Sequence, residues 1–578
     1  MNEQSPQQGQ AHDPRPINGV SHVVGDTGPA LWHRTIPDVF RETATRFADR
    51  EAAVFVEQGI RWTWAELSAE VDALAQGLDL LGLKKGDRIG IWSPNRAEWV
   101  LTQFATARLG LVMVNINPAY RLSELEYALN KVGCLALVTA ATFKTSDYLE
   151  MIRSLAPEID NCAPGALKSE KLPTLRSVIR MGEAMSPGMF RFDDVVARGR
   201  REGTADLDAI TASLDPDDAI NIQFTSGTTG APKGATLTHK NIMNNARAVV
   251  GSMHFTAQDR LCIPVPLYHC FGMVMGTLGC VATGACMIFP AEAFDADTTL
   301  RAVSAEGCSA LYGVPTMFVA ALGHPEFASF DFSNLRTGIM AGAPCPTEVM
   351  KRVVNEMNMS EVTIAYGMTE TSPVSFQSGT DDPLDRRVST VGRIHPNVEC
   401  KVVDESGATV PPGVQGELCT RGYSVMKGYW DDPERTAEAI DAEGWMHTGD
   451  LATIDAEGYC NITGRVKDML IRGGENVYPR EVEEFLFRHP KIADAQVFGI
   501  PDERFGEEVC AWVVLKPGET ANEDDIKAFC KGQIAHYKIP RHVRFRDELP
   551  MTVTGKPQKF RMRDAMIEEL GLTVATTA

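Results

Sequence analysis

Residues 225–235 read Thr-Ser-Gly-Thr-Thr-Gly-Ala-Pro-Lys-Gly-Ala, and these residue types suit an anion. Gly227, Gly230 and Gly234 let backbone N–H groups approach a ligand closely. Thr225, Ser226, Thr228 and Thr229 add hydroxyl donors, and Lys233 adds a cation. A polyphosphate needs such a surface: many donors, little bulk and one mobile positive charge. The run 219–224 (Ala-Ile-Asn-Ile-Gln-Phe) reads as a strand, so the loop falls at a strand's carboxyl end, where open α/β sheets hold ligands. The Walker pattern does not fit, because Lys233 follows Pro232 and no Ser or Thr follows the lysine. On this string alone, a flexible Gly/Thr-rich surface loop is the competing reading.

Other strings carry chemistry of their own. Tyr366-Gly367-Met368-Thr369-Glu370 follows the apolar run 362–365. An aromatic ring, a hydroxyl and a carboxylate at one strand end could stack a base, touch a phosphate and hold a cation; the alternative is a packed Tyr and a solvated Glu. Ala341-Gly342-Ala343-Pro344 follows a strand-like run at 338–340. Its small residues would let a flat ring lie against backbone, although an ordinary tight turn reads the same way. Gly444 to Leu451 spells Gly-Trp-Met-His-Thr-Gly-Asp-Leu, and Gly464-Arg465-Val466-Lys467-Asp468 follows it. Arg472-Gly473-Gly474-Glu475-Asn476 and Thr554-Gly555-Lys556-Pro557 complete the series. Singly these are a linker and a surface turn.

Five of these strings, in this order across residues 225–556, resemble the signatures of the adenylate-forming (AMP-binding) superfamily. That superfamily comprises acyl-CoA synthetases, the adenylation domains of peptide synthetases, and luciferases. Within it the chain looks most like medium-chain fatty acyl-CoA ligases. The resemblance implies ATP, Mg²⁺ and coenzyme A as cofactors, with roles carried over residue by residue. The 225–235 loop would hold the phosphates, Gly342, Ala343 and Pro344 would accept adenine, and Tyr366 would stack on it beside Gly367 and Met368. Thr369 would contact phosphate, and Glu370 would bind Mg²⁺, a hard cation suited to carboxylate oxygen. Asp450 would accept both ribose hydroxyls, two oxygens matching a vicinal diol, and Arg465 would contact the same sugar. Lys467 falls where the family has its hinge, and Gly474 lies in the loop brought to the pantetheine tunnel. Lys556 would reach the substrate carboxylate and the α-phosphate. Ala365 departs from the pattern, since relatives often carry Asn, Asp or Gly there.

The resemblance also places Pro266-Leu267-Tyr268-His269-Cys270-Phe271-Gly272 along the acyl site, with His269 beside the carboxylate. Amino-acid-activating relatives usually carry an Asp here to pair with an ammonium; this segment has none, which favours an acid lacking an amine. Met273, Val274, Met275, Gly276 and Leu278 continue an apolar wall suited to an aliphatic or aryl tail. The implied reaction is adenylation of a carboxylic acid with pyrophosphate release, then acyl transfer to coenzyme A. An aryl or long-chain acid, a carrier-protein acceptor, a luciferase-like oxidation and a non-catalytic nucleotide binder are the rival readings.

The elements that must position these residues are legible as a rhythm. Helical spacing of Leu67, Val71, Leu74, Leu78 and Leu81 follows a capping box at 63–66, and strands at 88–92, 112–116 and 134–139 alternate with helices at 96–108 and 123–131. Short βα alternation implies parallel sheets, hence an α/β fold. From about 391 short strands and turns take over, and a smaller α+β segment closes the chain. The expected organisation is a loose arm over 1–30, a large adenylation domain over 31–466 with a β-rich subdomain, and a mobile domain over 467–578. Residues 270–290 are uncharged and of membrane-spanning length, but their glycines and Pro290 favour a buried helix followed by a buried strand.

The chain has 578 residues, 44% of them hydrophobic, which supports large cores. A net charge of −20 and the lack of a basic tract argue against nucleic acid as a partner. The thirteen cysteines form no Cys-x-x-Cys pair, and the first thirty residues lack a signal peptide's apolar core, so a cytoplasmic protein with reduced thiols is expected. The expected partners are small molecules: a carboxylic acid, ATP and coenzyme A. A homodimer is allowed, and no integral membrane segment is expected.

Overall fold

A computed structural model describes residues 13–225, 232–343, 345–465, 468–472, 475–502, 505–531, 533–552 and 555–572. The large domain rests on two extended sheets. In the first, Ser177–Arg180, Ala136–Thr139, Arg88–Trp92, Val112–Asn115 and Ala219–Thr225 run parallel side by side. Lys233–Thr238 then turns back antiparallel on Ala219–Thr225, and Gly428–Tyr429 pairs antiparallel on its far side. In the second sheet Glu361–Gly367, Thr337–Ala341, Ala310–Gly313, Arg260–Cys262, Cys286–Phe289 and Glu51–Phe55 are parallel neighbours.

These strands are short apolar runs because helices cover both faces, as parallel sheets require. Ala97–Leu109 shows the extreme, being buried at nearly every position, whereas Trp64–Leu80 keeps a wet side and starts on the expected Thr63/Glu66 capping box. Trp64–Leu80 meets Phe192–Glu202 through Gly77 and Gly199. A Cβ on Gly199 would lie 1.9 Å from the Ala73 carbonyl oxygen, so only glycine permits this crossing.

The 270–290 stretch is a buried helix and strand, as expected. Its first part, Phe271–Leu278, is a π-helix, a rare form concentrated at functional sites. It passes through Gly279–Thr283 into the strand Cys286–Phe289. Among the described residues no helix is long and apolar enough to cross a membrane.

Part of the stretch 1–30, expected as a loose arm, is tied into the fold, residues 1–12 lying outside the described ones. His22–Val24 is a strand paired antiparallel with Val398–Val403, and Val23 is fully buried. It forms one edge of the β-rich sheet, which continues through Gly416–Gly422 and Met446–Ile454 to Cys460–Arg465. Beyond it lies the small domain. Ile492–Asp502 and Gly506–Leu515 form its central antiparallel pair, and His542–Phe545 adds a parallel strand. Pro479–Leu486, Glu523–Cys530 and Lys559–Leu570 are its helices, and its apolar core is separate from those of the large domain.

Two fully enclosed histidines belong to the large domain. His239 Nδ1 accepts the Ile36 N–H at 3.1 Å, and burial pushes its pKa down to about 4. His395 Nε2 pairs with Gln377 Oε1 at 3.0 Å, and burial pushes it down to about 3. Above about pH 6.5 both are neutral whether the chain is folded or unfolded. As pH falls from there towards about 4, the unfolded chain binds protons that the folded state refuses, at up to about 1.4 kcal/mol per pH unit for each histidine. The thermal midpoint should therefore decline between pH 6.5 and 4.5, and His395→Gln should decline less steeply. An unchanged slope in that variant would sink the assignment.

Candidate active site

The expected phosphate loop leaves one strand and enters its neighbour, with Thr225 and Lys233 paired in register. Ser226, Gly227, Thr228, Thr229 and Gly230 lie outside the described residues. At the loop's base, Thr225 Oγ1 donates to Glu370 Oε1 at 2.9 Å, and Tyr429 Oη donates to the same oxygen at 3.0 Å. Lys233 Nζ stands 4.4 Å over the Tyr429 ring. Glu370 is only 4% exposed, so these donors offset much of the cost of burying its charge. Among the described residues both hydrogen bonds end on Oε1, leaving Oε2 as a hard, anionic oxygen available to a divalent cation.

A second cluster forms where Glu361–Gly367 ends. Tyr366 Oη donates to Asp450 Oδ2 at 2.7 Å, and Arg465 Nε donates to Oδ1 at 3.1 Å. Asp450 and Arg465 face each other across the antiparallel pair Met446–Ile454 and Cys460–Arg465. Glu417 braces the approach, since its Oε1 accepts the Gly449 N–H at 3.1 Å and its Oε2 lies 2.9 Å from His447 Nδ1. Gly342 and Ala343 follow the strand Thr337–Ala341, whose Ala341 pairs with Ala365 just before Tyr366. Pro344 lies outside the described residues. Gly367 has no room for a side chain: a Cβ would sit 1.8 Å from the Pro373 carbonyl oxygen. That close approach folds Met368 and Thr369 back so that Glu370 points at the loop base.

Lys556 lies within the field of both clusters, and His269 lies within the field of Lys556. His269 is half-buried beside Tyr268, with ring centroids 4.5 Å apart. Burial, reinforced by the Lys556 charge, pushes its pKa down to about 3, which keeps the imidazole neutral. Lys556 arrives from the small domain, and its side chain is exposed to solvent. Crowding by protein and the Arg465 charge lower its pKa, while Asp450, Glu370 and Cys270 oppose the shift. One ammonium thus feels both clusters. Lys467 and Gly474 lie outside the described residues, although the flanking Arg472 and Glu475 pair in register.

Three features escaped the sequence reading. Tyr429 is one, because its role depends on the pairing of Ala235 with Tyr429. Cys270 is another: its Sγ donates to Gln223 Oε1 at 3.3 Å. Gln223 donates to Asn221 Oδ1 at 2.9 Å, Asn221 donates to Asn115 Oδ1 at 2.9 Å, and Asn115 donates to the Tyr268 carbonyl at 3.0 Å. This third feature, a buried amide chain, ties the loop's own strand to the His269 segment. The alternating Asn221 and Gln223 in an otherwise apolar strand were the available signal.

The arrangement can hold a triphosphate at one end, a diol at the other, and a carboxylate between a neutral imidazole and an ammonium. The fold and site define an adenylate-forming enzyme, and the chain belongs to the AMP-binding enzyme family. Its family model matches residues 40–430, and that of the AMP-binding enzyme C-terminal domain matches residues 481–556. The chain is 48% identical to the mitochondrial medium-chain acyl-CoA ligase ACSF2 of Danio rerio, over 96% of this chain and 92% of that protein. In structure it is similar to the anthranilate CoA ligase AuaEII in complex with anthranoyl-AMP, with a TM-score of 0.83 and 28% identity, covering 93% of this chain and 98% of that one. A Mycobacterium tuberculosis fatty acyl CoA synthetase matches with a TM-score of 0.71 and 28% identity, over 93% and 99% of the two chains. Within the family this chain is an acyl-CoA synthetase, an AMP-forming acid–thiol ligase.

Proposed function

We propose that the protein joins medium-chain fatty acids to coenzyme A in a reducing cytoplasm, through an acyl-AMP intermediate. The observation that carries this reading is Lys556 of the small domain lying beside His269, within the field of both Glu370 and Asp450. The 225–235 loop and Lys233 hold the ATP phosphates, with Thr369 beside them. Tyr366, Gly342, Ala343 and Pro344 hold adenine, and Asp450 with Arg465 holds ribose. Glu370 is the residue that fits Mg²⁺, which supplies charge neutralisation on the phosphates when bound.

In the first half-reaction a carboxylate oxygen attacks the α-phosphorus, and the bond to the bridging oxygen of pyrophosphate breaks. Lys556 offsets the negative charge gathered there, and neutral His269 adds no second cation beside it. Positioning and charge stabilisation account for most of the acceleration in such a transfer. In the second half-reaction the sulfur of coenzyme A, having lost its proton, attacks the acyl carbonyl carbon. The carbon–oxygen bond to phosphate breaks and AMP leaves. The domain over 467–578 turns about Lys467 between the two steps, withdrawing Lys556 and bringing in the Gly474 loop. An apolar π-helix wall and the lack of an acidic partner for an ammonium favour an unsubstituted aliphatic acid. Thirteen free thiols support the reducing compartment.

The test is AMP release with coenzyme A across C2–C18 and aryl acids. A maximum among the C6–C12 aliphatic acids is expected, and preference for an aryl acid, or turnover only with a carrier protein, would overturn the assignment. Tyr429→Phe keeps a ring beneath Lys233 but removes a donor from Glu370. It should raise KM for Mg·ATP about fivefold, the scale of one lost hydrogen bond, and leave KM for the acid unchanged.

A further inference from the structure

Close to Asp450, the β-rich sheet gathers three side chains of a different chemistry. Glu417 and Cys419 lie two residues apart on Gly416–Gly422, so both project from one face of that strand. Cys419 stands opposite His447 on Met446–Ile454, and the register shifts between Cys419 and Glu417. At that irregularity Glu417 Oε1 accepts the Gly449 N–H at 3.1 Å, which leaves Oε2 turned towards the histidine. His447 Nδ1 lies 2.9 Å from Glu417 Oε2 and 3.6 Å from Cys419 Sγ. The three ligand atoms all fall within 4.8 Å of one another.

The surroundings favour their acting together. His447 Nε2 lies 3.8 Å from Asp441 Oδ2. Asp441 is itself fixed, since its Oδ1 accepts the Glu443 and Trp445 N–H groups, each at 2.9 Å. A carboxylate behind one ring nitrogen favours the proton there and turns the lone pair of the other towards Glu417 and Cys419, as in a metal-bound histidine. The cations of this region are engaged elsewhere. Lys401 and Arg421 lie over the Trp445 ring at 4.4 and 4.3 Å, and Arg421 also pairs with Glu399 at 2.6 Å. Cys419 is fully buried, whereas the His447 and Glu417 side chains are 35% and 27% exposed, so the trio opens to solvent above a closed floor. Thiolate, imidazole and carboxylate together suit zinc, whereas magnesium takes oxygen ligands.

We infer that Glu417 Oε2, Cys419 Sγ and His447 Nδ1 bind a borderline-soft divalent cation of the zinc type, with a fourth position left to water. Cys419 gives up its thiol proton to solvent on binding. All three ligands belong to the β-rich sheet, so the site depends neither on the seating of the small domain nor on the acyl-CoA ligase reading. It is also separate from Glu370. An ion there would tie Gly416–Gly422 to Met446–Ile454 beside Asp450. Titration of the metal-free full-length protein with Co²⁺ alone tests the inference. One equivalent should bind with thiolate-to-cobalt charge-transfer absorption, which Zn²⁺ bleaches and excess Mg²⁺ leaves intact. Cys419→Ser should abolish that absorption. Asp441→Asn keeps Oδ1 for its backbone bonds and should weaken cobalt binding about tenfold. His447→Gln should weaken it further. Wild-type protein without the absorption, or absorption that survives in Cys419→Ser, overturns the inference and leaves a plain His447–Glu417 hydrogen bond over a buried thiol.

Discussion

Lys556→Ala is expected to slow acyl-AMP formation by about 10³-fold while leaving thioester formation from supplied acyl-AMP within about threefold of wild type. The first figure is the usual scale for removing one preorganised charge from a site of developing negative charge. The asymmetry follows from geometry. In the observed arrangement the small domain brings Lys556 close enough to His269 to lower its pKa, and protein crowding and the Arg465 charge lower the lysine's own pKa while Asp450 and Glu370 oppose that shift. In the mechanism we propose, that position serves the attack on phosphorus. Under that same mechanism the developing charge moves to the acyl carbonyl once acyl-AMP exists, and the domain turns before the thiol enters. The two half-reactions separate cleanly in assay, as acid-dependent pyrophosphate exchange and as coenzyme A-dependent AMP release from acyl-AMP. Loss of both rates to the same extent would assign Lys556 to structure or to nucleotide binding. Lys556→Arg refines the result. It keeps charge but presents a planar fork where a compact ammonium fits, so only partial recovery is expected.

Lys467→Pro should produce the opposite pattern. A first turnover of pyrophosphate release should be near normal, and acyl-CoA formation should fall by about 10²-fold. Proline fixes φ near −65° and removes an N–H, so a residue that must change backbone angle between two domain positions loses one of them. The flanks show why rotation would concentrate here. Arg465, two residues earlier, is committed to Asp450 and to the β-rich sheet, while Leu470–Arg472 is committed to the small domain through Arg472 and Gly506. Little chain is left between two fixed bodies. The docked arrangement is the one with Lys556 delivered, so a stiffened joint should trap the adenylating state. Survival of both half-reactions at wild-type rates would remove Lys467 from the hinge. Impairment of pyrophosphate release alone would do so as well.

Legibility in the sequence varied with distance along the chain. The strand at Arg88–Trp92 and the helices Trp64–Leu80 and Ala97–Leu109 could be read because their patterns repeat within a few residues. The strand His22–Val24 could not. Three residues carry no period, and its partner Val398–Val403 lies far along the chain, so a polar opening read as a loose arm. Tyr429 failed for a related reason: nothing in Gly428-Tyr429-Trp430 says that its hydroxyl reaches Glu370. Asn221 and Gln223 were visible as polar residues in an apolar run, but their joint purpose appears only when Asn115 and Cys270 stand beside them.

By itself the sequence determined the chemical inventory: hydroxyl and glycine donors with Lys233 of the types that suit phosphate, carboxylates at 370 and 450, and a lysine at 556, all on an alternating α/β scaffold. Those properties are local, written in residue type and short-range spacing. The tertiary structure decided which of them meet. Thr225, Tyr429 and Glu370 converge, Asp450 joins Tyr366 and Arg465, and the small domain brings Lys556 to His269. Meetings of this kind depend on pairing between distant strands and on the seating of one domain against another. Both are set by burial and backbone hydrogen bonding over the whole chain, and no window of sequence contains them.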